Sequence, residues 1–187
     1  MAKKQGHHLI LGDLVDVITG VTLQDTHDER YRQKVARLLV EQKGYRKTEV
    51  ESRCELIVTA GEKRAMVKID FSVNLAGRTC MIIKYGPGSL VTRHRPALAA
   101  SRLLVSYQIP VVVVTNGEGA DILEGASGKV ISRGFESIPS KFELESRVEN
   151  ARFNPIPAER VEWESRVFYA FEVDGCCPCD DTVCRLY

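Results

Sequence analysis

Three consecutive strand patterns between residues 50 and 85 constrain the fold of this chain more than any other feature. Segments 50–59 and 65–74 alternate apolar and polar residues, which is typical of half-buried strands. Segment 79–85 is apolar on both faces, as expected for a central strand. Short connections containing Gly61 and Gly77 separate the three segments. The pattern therefore predicts a three-strand meander.

The flanking segments predict helices and a further buried strand. Residues 26–43 have helical apolar spacing, with Thr26 and Glu29 placed as a capping box and Gly44 after the last turn. Pro96 suits the first turn of a helix running to about residue 107, and four valines follow at 111–114. A strand, a crossover helix and a second buried strand indicate a parallel pair. The fold class predicted is α/β, with a mixed sheet flanked by helices.

The C-terminal third changes in character and suggests a division of the chain into four parts. Segments 120–124 and 129–132 predict a hairpin, after which Ser140 and Glu143 form a second capping box. A helix to about residue 152 and a third helix over 159–171 follow. We expect a lead-in at 1–25, a core domain at 26–140, a helical extension at 141–175 and a cysteine-rich tail at 176–187.

Bulk properties limit the classes of function. The chain of 187 residues has a net charge of +1, so its overall charge does not indicate nucleic-acid binding. There is no apolar run of about 18 residues, the length of a membrane span, and residues 1–25 do not resemble a signal peptide, so a cytoplasmic protein is expected. The tail contains four cysteines: Cys176, Cys177, Cys179 and Cys184. One interpretation is that they bind Zn²⁺ or an iron–sulfur cluster, and the other is that the tail is flexible and oxidisable.

Four motifs in this order resemble one known family. They are RQKVARLLVEQKGY at 32–45, the strand carrying Asp70, the strand ending in Lys84, and VVVVTNG at 111–117. Together they are similar to the PD-(D/E)XK nuclease superfamily and, more closely, to the N-terminal domain of type I restriction enzyme R subunits. The resemblance covers roughly residues 26–140. It implies a restriction-endonuclease-like core, DNA as a partner, Mg²⁺ as cofactor, and a protein partner that supplies motor or specificity functions.

The same resemblance implies the residues of the site. Asp70 would be the Mg²⁺ ligand, Lys84 the catalytic lysine and Glu29 the acid on the first helix. The second metal-binding carboxylate is expected two residues before the lysine, where this chain has Ile82. Mg²⁺ requires carboxylates to hold it while it activates water for phosphodiester hydrolysis. Three arginines of the second predicted helix are candidates for phosphate contacts: Arg93, Arg95 and Arg102.

Ile82 leaves three hypotheses open. The chain is a Mg²⁺-dependent endonuclease with an impaired site, an inactive module that binds nucleic acid or protein, or a metal- or redox-binding protein that uses its tail. Structural interpretations of the same residues also stand. Glu29 is explained as a capping residue, and Asp70 is explained either as a solvated residue on the polar face of its strand or as a partner of Lys68 or Lys84.

Overall fold

The computed structural model describes residues 10–176 and 182–186. Within these ranges seven strands form one mixed sheet with helices packed against it, and a separate two-stranded hairpin precedes it. The strands are β1 (Asp13–Val15), β2 (Thr22–Gln24), β3 (Val50–Ala60), β4 (Lys63–Leu75), β5 (Arg78–Tyr85), β6 (Val111–Thr115), β7 (Ala120–Glu124), β8 (Val130–Arg133) and β9 (Val183–Leu186). The helices are α1 (His27–Arg37), α2 (Val91–Leu103), α3 (Lys141–Glu149) and α4 (Ala158–Phe168).

The topology of the sheet confirms the predicted meander and crossover. Strands β3 to β8 lie side by side in chain order, and β9 pairs with β4. The β5–β6 pair is parallel because α2 carries the chain back across the sheet, whereas β3–β4, β4–β5, β6–β7 and β7–β8 are antiparallel. The predicted hairpin near residues 120–132 is the β7–β8 pair.

Helix α1 begins at the predicted residue but uses only half of the predicted capping box. The hydroxyl of Thr26 accepts a hydrogen bond from the N–H of Glu29 at 3.2 Å. The N–H of Thr26 donates instead to the carbonyl of Gln24, so the carboxylate of Glu29 is free to turn inward. A single π-helical turn, Leu38–Gln42, continues α1 to the expected end of the helix before Gly44.

The prediction that Pro96 opens the second helix is wrong. Helix α2 begins at Val91 and ends at Leu103, so Pro96 lies inside it and cannot supply the N–H that would bond to Thr92. Burial compensates for the lost bond, because Pro96 and the next turn pack against the sheet. The residues of that turn are nearly inaccessible: Ala97, Leu98, Ala99 and Ala100.

The C-terminal helices pack onto the same sheet. Ser140 caps α3 with the predicted box, although the helix ends at Glu149 rather than near residue 152. Helix α4 continues into a π-helical turn, Tyr169–Val173. Phe168, Tyr169 and Val173 are buried in one apolar layer with Ile82 and Val112 of the central strands. This layer places the extension directly over the end of the sheet that carries Lys84.

Candidate active-site cleft

The predicted catalytic strand, β4, has different neighbours along its length. Its residues 71–75 pair with β5, while residues 64–67 pair with β9 from the end of the chain. Asp70 lies between these two stretches, at the point where β5 and β9 diverge. On its other side, β3 places Arg53 opposite Asp70, between the pairs Ser52↔Phe71 and Cys54↔Ile69. A fork of this kind exposes side chains from several strands to one small space.

Asp70 is buried at this fork, and both of its carboxylate oxygens are hydrogen bonded. Oδ1 accepts from Nε of Arg32 on α1 at 2.7 Å. Oδ2 accepts from the backbone N–H of Tyr85, at the end of β5, at 2.9 Å. The side chain of Asp70 is only 4% exposed, so the pair with Arg32 is shielded from solvent. Burial opposes a raised pKa at Arg32, but the charge of Asp70 and their hydrogen bond outweigh it and raise that pKa.

Glu29 enters the same space from α1 and is paired with a second arginine. Its Oε2 lies 2.8 Å from Nη2 of Arg53 and 3.6 Å from Nη1 of Arg32. Arg53 also contacts Oδ2 of Asp16 at 2.8 Å, and the amide of Gln33 bridges Asp16 and Glu29. Arg53 has a φ of 56°, which is unfavourable for a residue with a side chain. In this backbone conformation its guanidinium lies between the two carboxylates.

These side chains line a cleft with a volume of about 30 Å³. That volume accommodates one or two water-sized groups. Its lining comes from three elements and from the residue that precedes β9: Glu29 and Arg32 of α1, Arg53 of β3, Lys68 and Asp70 of β4, and Thr182. The structure thus brings the predicted Glu29 and Asp70 together. Sequence reasoning missed Arg32 and Arg53, although Arg32 stands one helical turn after Glu29.

Lys84 is not among the residues lining this cleft. Its Nζ lies 2.9 Å from Oε2 of Glu172 in the π-helical turn after α4, and 6.0 Å from the ring centre of Phe168. Burial lowers the pKa of Lys84, but the charges of Glu172 and Asp70 outweigh it, and the pKa is raised. Lys84 is therefore a protonated lysine enclosed by the C-terminal extension.

Glu172 has one unsatisfied oxygen. Its side chain is 10% exposed, and Oε2 accepts from Lys84. Oε1 is the single buried side-chain oxygen or nitrogen without a hydrogen-bond partner among the described residues. A buried acceptor without a partner is costly, so this oxygen marks a position suited to an additional donor or water.

Ile82 takes no part in the cleft. It is completely buried in the apolar layer that contains Leu98 of α2, Val112 of β6 and Phe168 of α4. The position at which a metal-binding carboxylate is expected is thus filled by a packed apolar side chain.

The three arginines proposed for phosphate contacts differ in their surroundings. Arg102 is buried, with Nη1 at 2.8 Å from Oε1 of Glu164, so its guanidinium faces the interior. Arg95 pairs with the other oxygen of Glu164 at 2.5 Å and is partly exposed. Arg93 is also partly exposed and packs against Gly86, just beyond the end of β5. Of the three, Arg93 is the one most available to a ligand.

The tail cysteines fall only partly within the described ranges. The thiol of Cys176 contacts the carbonyl of Val173, and Cys184 is exposed in β9. Cys177 and Cys179 lie outside the described residues, so the Zn²⁺ or iron–sulfur hypothesis stays a prediction. Burial raises the pKa of the internal Cys54 to about 11, which keeps that thiol protonated at neutral pH.

The donor set does not fit the Mg²⁺ that the resemblance implies. Each carboxylate around the fork already has a cationic partner: Asp70 with Arg32, Glu29 and Asp16 with Arg53, and Glu172 with Lys84. Mg²⁺ is held by carboxylates whose charge is available to it. In the described part of the chain no three metal-ligating side chains converge on one point. Guanidinium groups occupy the carboxylates that a metal would need.

Comparison with known proteins identifies one family. Residues 27–139, more than half of the chain, match the model for the type I restriction enzyme R protein N terminus. No curated protein and no solved structure matches the chain. The match agrees with the α/β architecture and indicates a restriction-endonuclease-like, nuclease-related domain. Within the described ranges, no helix has the length and apolarity needed to cross a membrane.

Proposed function

The chain belongs to the family of type I restriction enzyme R protein N-terminal domains, and we propose that it binds DNA at the forked end of its sheet without hydrolysing it. The observation that carries the proposal is the pairing of Asp70 with Arg32 in place of a metal ion. The family name supports DNA as the ligand, and the arginine pairing argues against Mg²⁺-dependent hydrolysis.

The electrostatics of the fork oppose hydrolysis. A two-metal mechanism needs carboxylates whose charge the ions can use, since the ions stabilise the attacking and leaving oxygens. Here Asp70 and Glu29 are already neutralised by arginines, and Ile82 supplies no further acid. A Mg²⁺ ion would have to displace a buried guanidinium, which costs several kcal/mol because the displaced charge loses its partner.

Cations at the same end of the sheet support DNA binding. Lys68 lines the cleft, and Arg93 lies against the turn after β5 without an ion-pair partner among the described residues. Such cations bind phosphates without sequence preference, and binding weakens as salt rises. No Mg²⁺ is required for this kind of contact.

A binding and cleavage experiment tests both halves of the proposal. Fluorescein-labelled duplex DNA is titrated with protein across a series of salt concentrations without divalent ions, and supercoiled plasmid is incubated with protein and Mg²⁺ or Mn²⁺. We expect salt-sensitive binding and no cleavage. Mg²⁺-dependent cleavage that disappears in Asp70→Ala would overturn the inactive site, and an absence of binding at low salt would overturn the DNA interface.

A matched pair of variants locates the interface. Arg93→Ala should weaken binding and reduce the salt slope by about 1, since one phosphate contact is lost. Arg147→Ala removes the same charge from the exposed surface of α3, which packs beside Leu75 and Arg78 at the opposite end of β5. Arg147→Ala should leave the slope unchanged. Equal effects of the two variants would place the DNA elsewhere.

A further inference from the structure

The last described strand returns to the same fork and lies beside it. Strand β9 pairs antiparallel with residues 64–67 of β4, on the side that β5 leaves. The carbonyl of Thr182 accepts from the N–H of Lys68 at 2.8 Å, and Thr182 itself lines the cleft. Arg185 donates to the carbonyl of Val173 at 2.9 Å and so joins β9 to the π-helical turn. The C-terminal segment is defined as residues 169–173 and 182–186, and it contributes Thr182 to the lining of the cleft.

The same segment places a carboxylate on Lys84. Glu172 lies 2.9 Å from Nζ, and its side chain is nine-tenths buried. Its second oxygen, Oε1, has no partner. A carboxylate with one oxygen on an ammonium group resembles the way a DNA phosphate contacts a lysine. Among the described residues, no donor lies within hydrogen-bond distance of the second oxygen.

We propose that the C-terminal segment inhibits DNA binding in cis: Glu172 occupies the position of a phosphate at Lys84, and DNA engages Lys84 only when the segment leaves. The proposal rests on the DNA-binding function proposed above and adds its regulation. The segment has the form of a removable element, since β9 is four residues long, lies mostly exposed, and is bound to the sheet along one edge.

The first test is the substitution Glu172→Gln. Glutamine keeps the shape and a hydrogen-bond acceptor for Lys84 but removes the charge that competes with phosphate. The control Glu162→Gln removes the same charge from an exposed i,i+4 pair with Arg166 on α4. Titration of labelled duplex DNA should give binding at least about fivefold tighter for Glu172→Gln than for the wild type, the lower end of ordinary coupling between sites. Its salt slope should be steeper by about 0.9, corresponding to one additional phosphate contact.

A second variant keeps the test decisive if Glu172→Gln fails to fold. A chain that ends at residue 181 lacks β9 and the hydrogen bond from Arg185 to Val173 that holds the π-helical turn. Glu172 should then leave Lys84 more readily, and DNA should bind more tightly. In this variant the Lys84 amine should react faster with an acylating reagent, as measured by mass spectrometry of the labelled peptide. This second readout does not depend on DNA.

The outcomes separate the two proposals. Wild-type binding that neither variant improves, with Lys84 still unreactive, would overturn inhibition by the segment and leave the DNA interface standing. Faster labelling of Lys84 without DNA binding in any variant would overturn the DNA-binding function, and with it the inhibition, while showing that the segment opens. Equal tightening by Glu172→Gln and Glu162→Gln would reduce the effect to net charge and overturn the phosphate-like role of Glu172.

Discussion

The substitution Asp70→Asn measures directly whether the buried centre is an ion pair or a metal site. Asparagine has nearly the same shape and can still accept the hydrogen bond from the N–H of Tyr85, which is 2.9 Å in the wild type. It removes the negative charge that lies 2.7 Å from Nε of Arg32. The Arg32 side chain is only 17% exposed, so water cannot fully replace the lost partner. Removing one partner of a buried pair costs about 3–5 kcal/mol.

The lower end of that range applies here. Glu29 lies 3.6 Å from Arg32 and continues to neutralise it in part. We therefore expect the free energy of unfolding to fall by about 3 kcal/mol. For a chain of this length, each kcal/mol lowers the melting temperature by about 2–4 °C, so the total decrease should be about 6–12 °C. Urea and thermal unfolding, each with and without Mg²⁺, provide the measurement.

The loss should be independent of Mg²⁺, because no metal contributes to the wild-type stability in this account. The control Asp25→Asn removes the partner of Arg30, whose side chain is 54% exposed and can be solvated by water, so it should change stability much less. A wild-type protein that Mg²⁺ stabilises, beside an Asp70→Asn variant that Mg²⁺ does not, would refute the ion-pair account. So would a loss no larger than that of Asp25→Asn.

Two further predictions concern pH and the missing acid. Hydrogen bonds from Arg46 and Lys141 lower the pKa of Glu49 from 4.5 to about 2, although burial acts in the opposite direction. Because the pKa is lowered in the folded state, the ionised carboxylate stabilises the fold above pH 4.5, and this stability is lost as the pH falls toward 2. Glu49→Gln should therefore flatten the melting temperature over that window, and an unchanged pH profile would contradict the assignment. Ile82→Glu should lower stability by at least about 3 kcal/mol by burying an unpaired charge, with Ile82→Val as the volume control, and it should not produce plasmid cleavage with Mg²⁺; cleavage would show that position 82 can still reach the site.

Most of the fold could be predicted from the strand pattern, because that pattern depends on neighbouring residues alone. Alternation over residues 50–74 and the apolar run at 79–85 are consequences of which faces are buried, and these faces are set residue by residue. The error at Pro96 has the opposite origin. A proline is a local signal for the start of a helix. Here, however, burial of the four residues after Pro96 stabilises a helix that begins at least one turn earlier, at Val91.

The site could be predicted only in part, since its pairs join distant positions. Asp70 follows from the polar face of its strand, but its partner Arg32 lies 38 residues away on a helix. Arg53 looks like an ordinary polar residue of β3, and only its left-handed backbone turns it toward Glu29 and Asp16. Glu172 is 88 residues from Lys84 and has no feature in the sequence that separates it from neighbouring acids.

Charge balance connects the missing acid with the C-terminal extension. Lys84 is enclosed between the sheet and α4, so its charge requires a nearby carboxylate. With isoleucine at position 82, β5 supplies none, and Glu172 of the extension provides it instead. Arg32 and Arg53 supply the positive charge that Asp70, Glu29 and Asp16 require. Lys68 also lines the cleft, so four positive charges face the four carboxylates and the fork is neutral without a divalent ion. In the proposed inhibition, the extension that completes this balance is also the element that DNA has to displace.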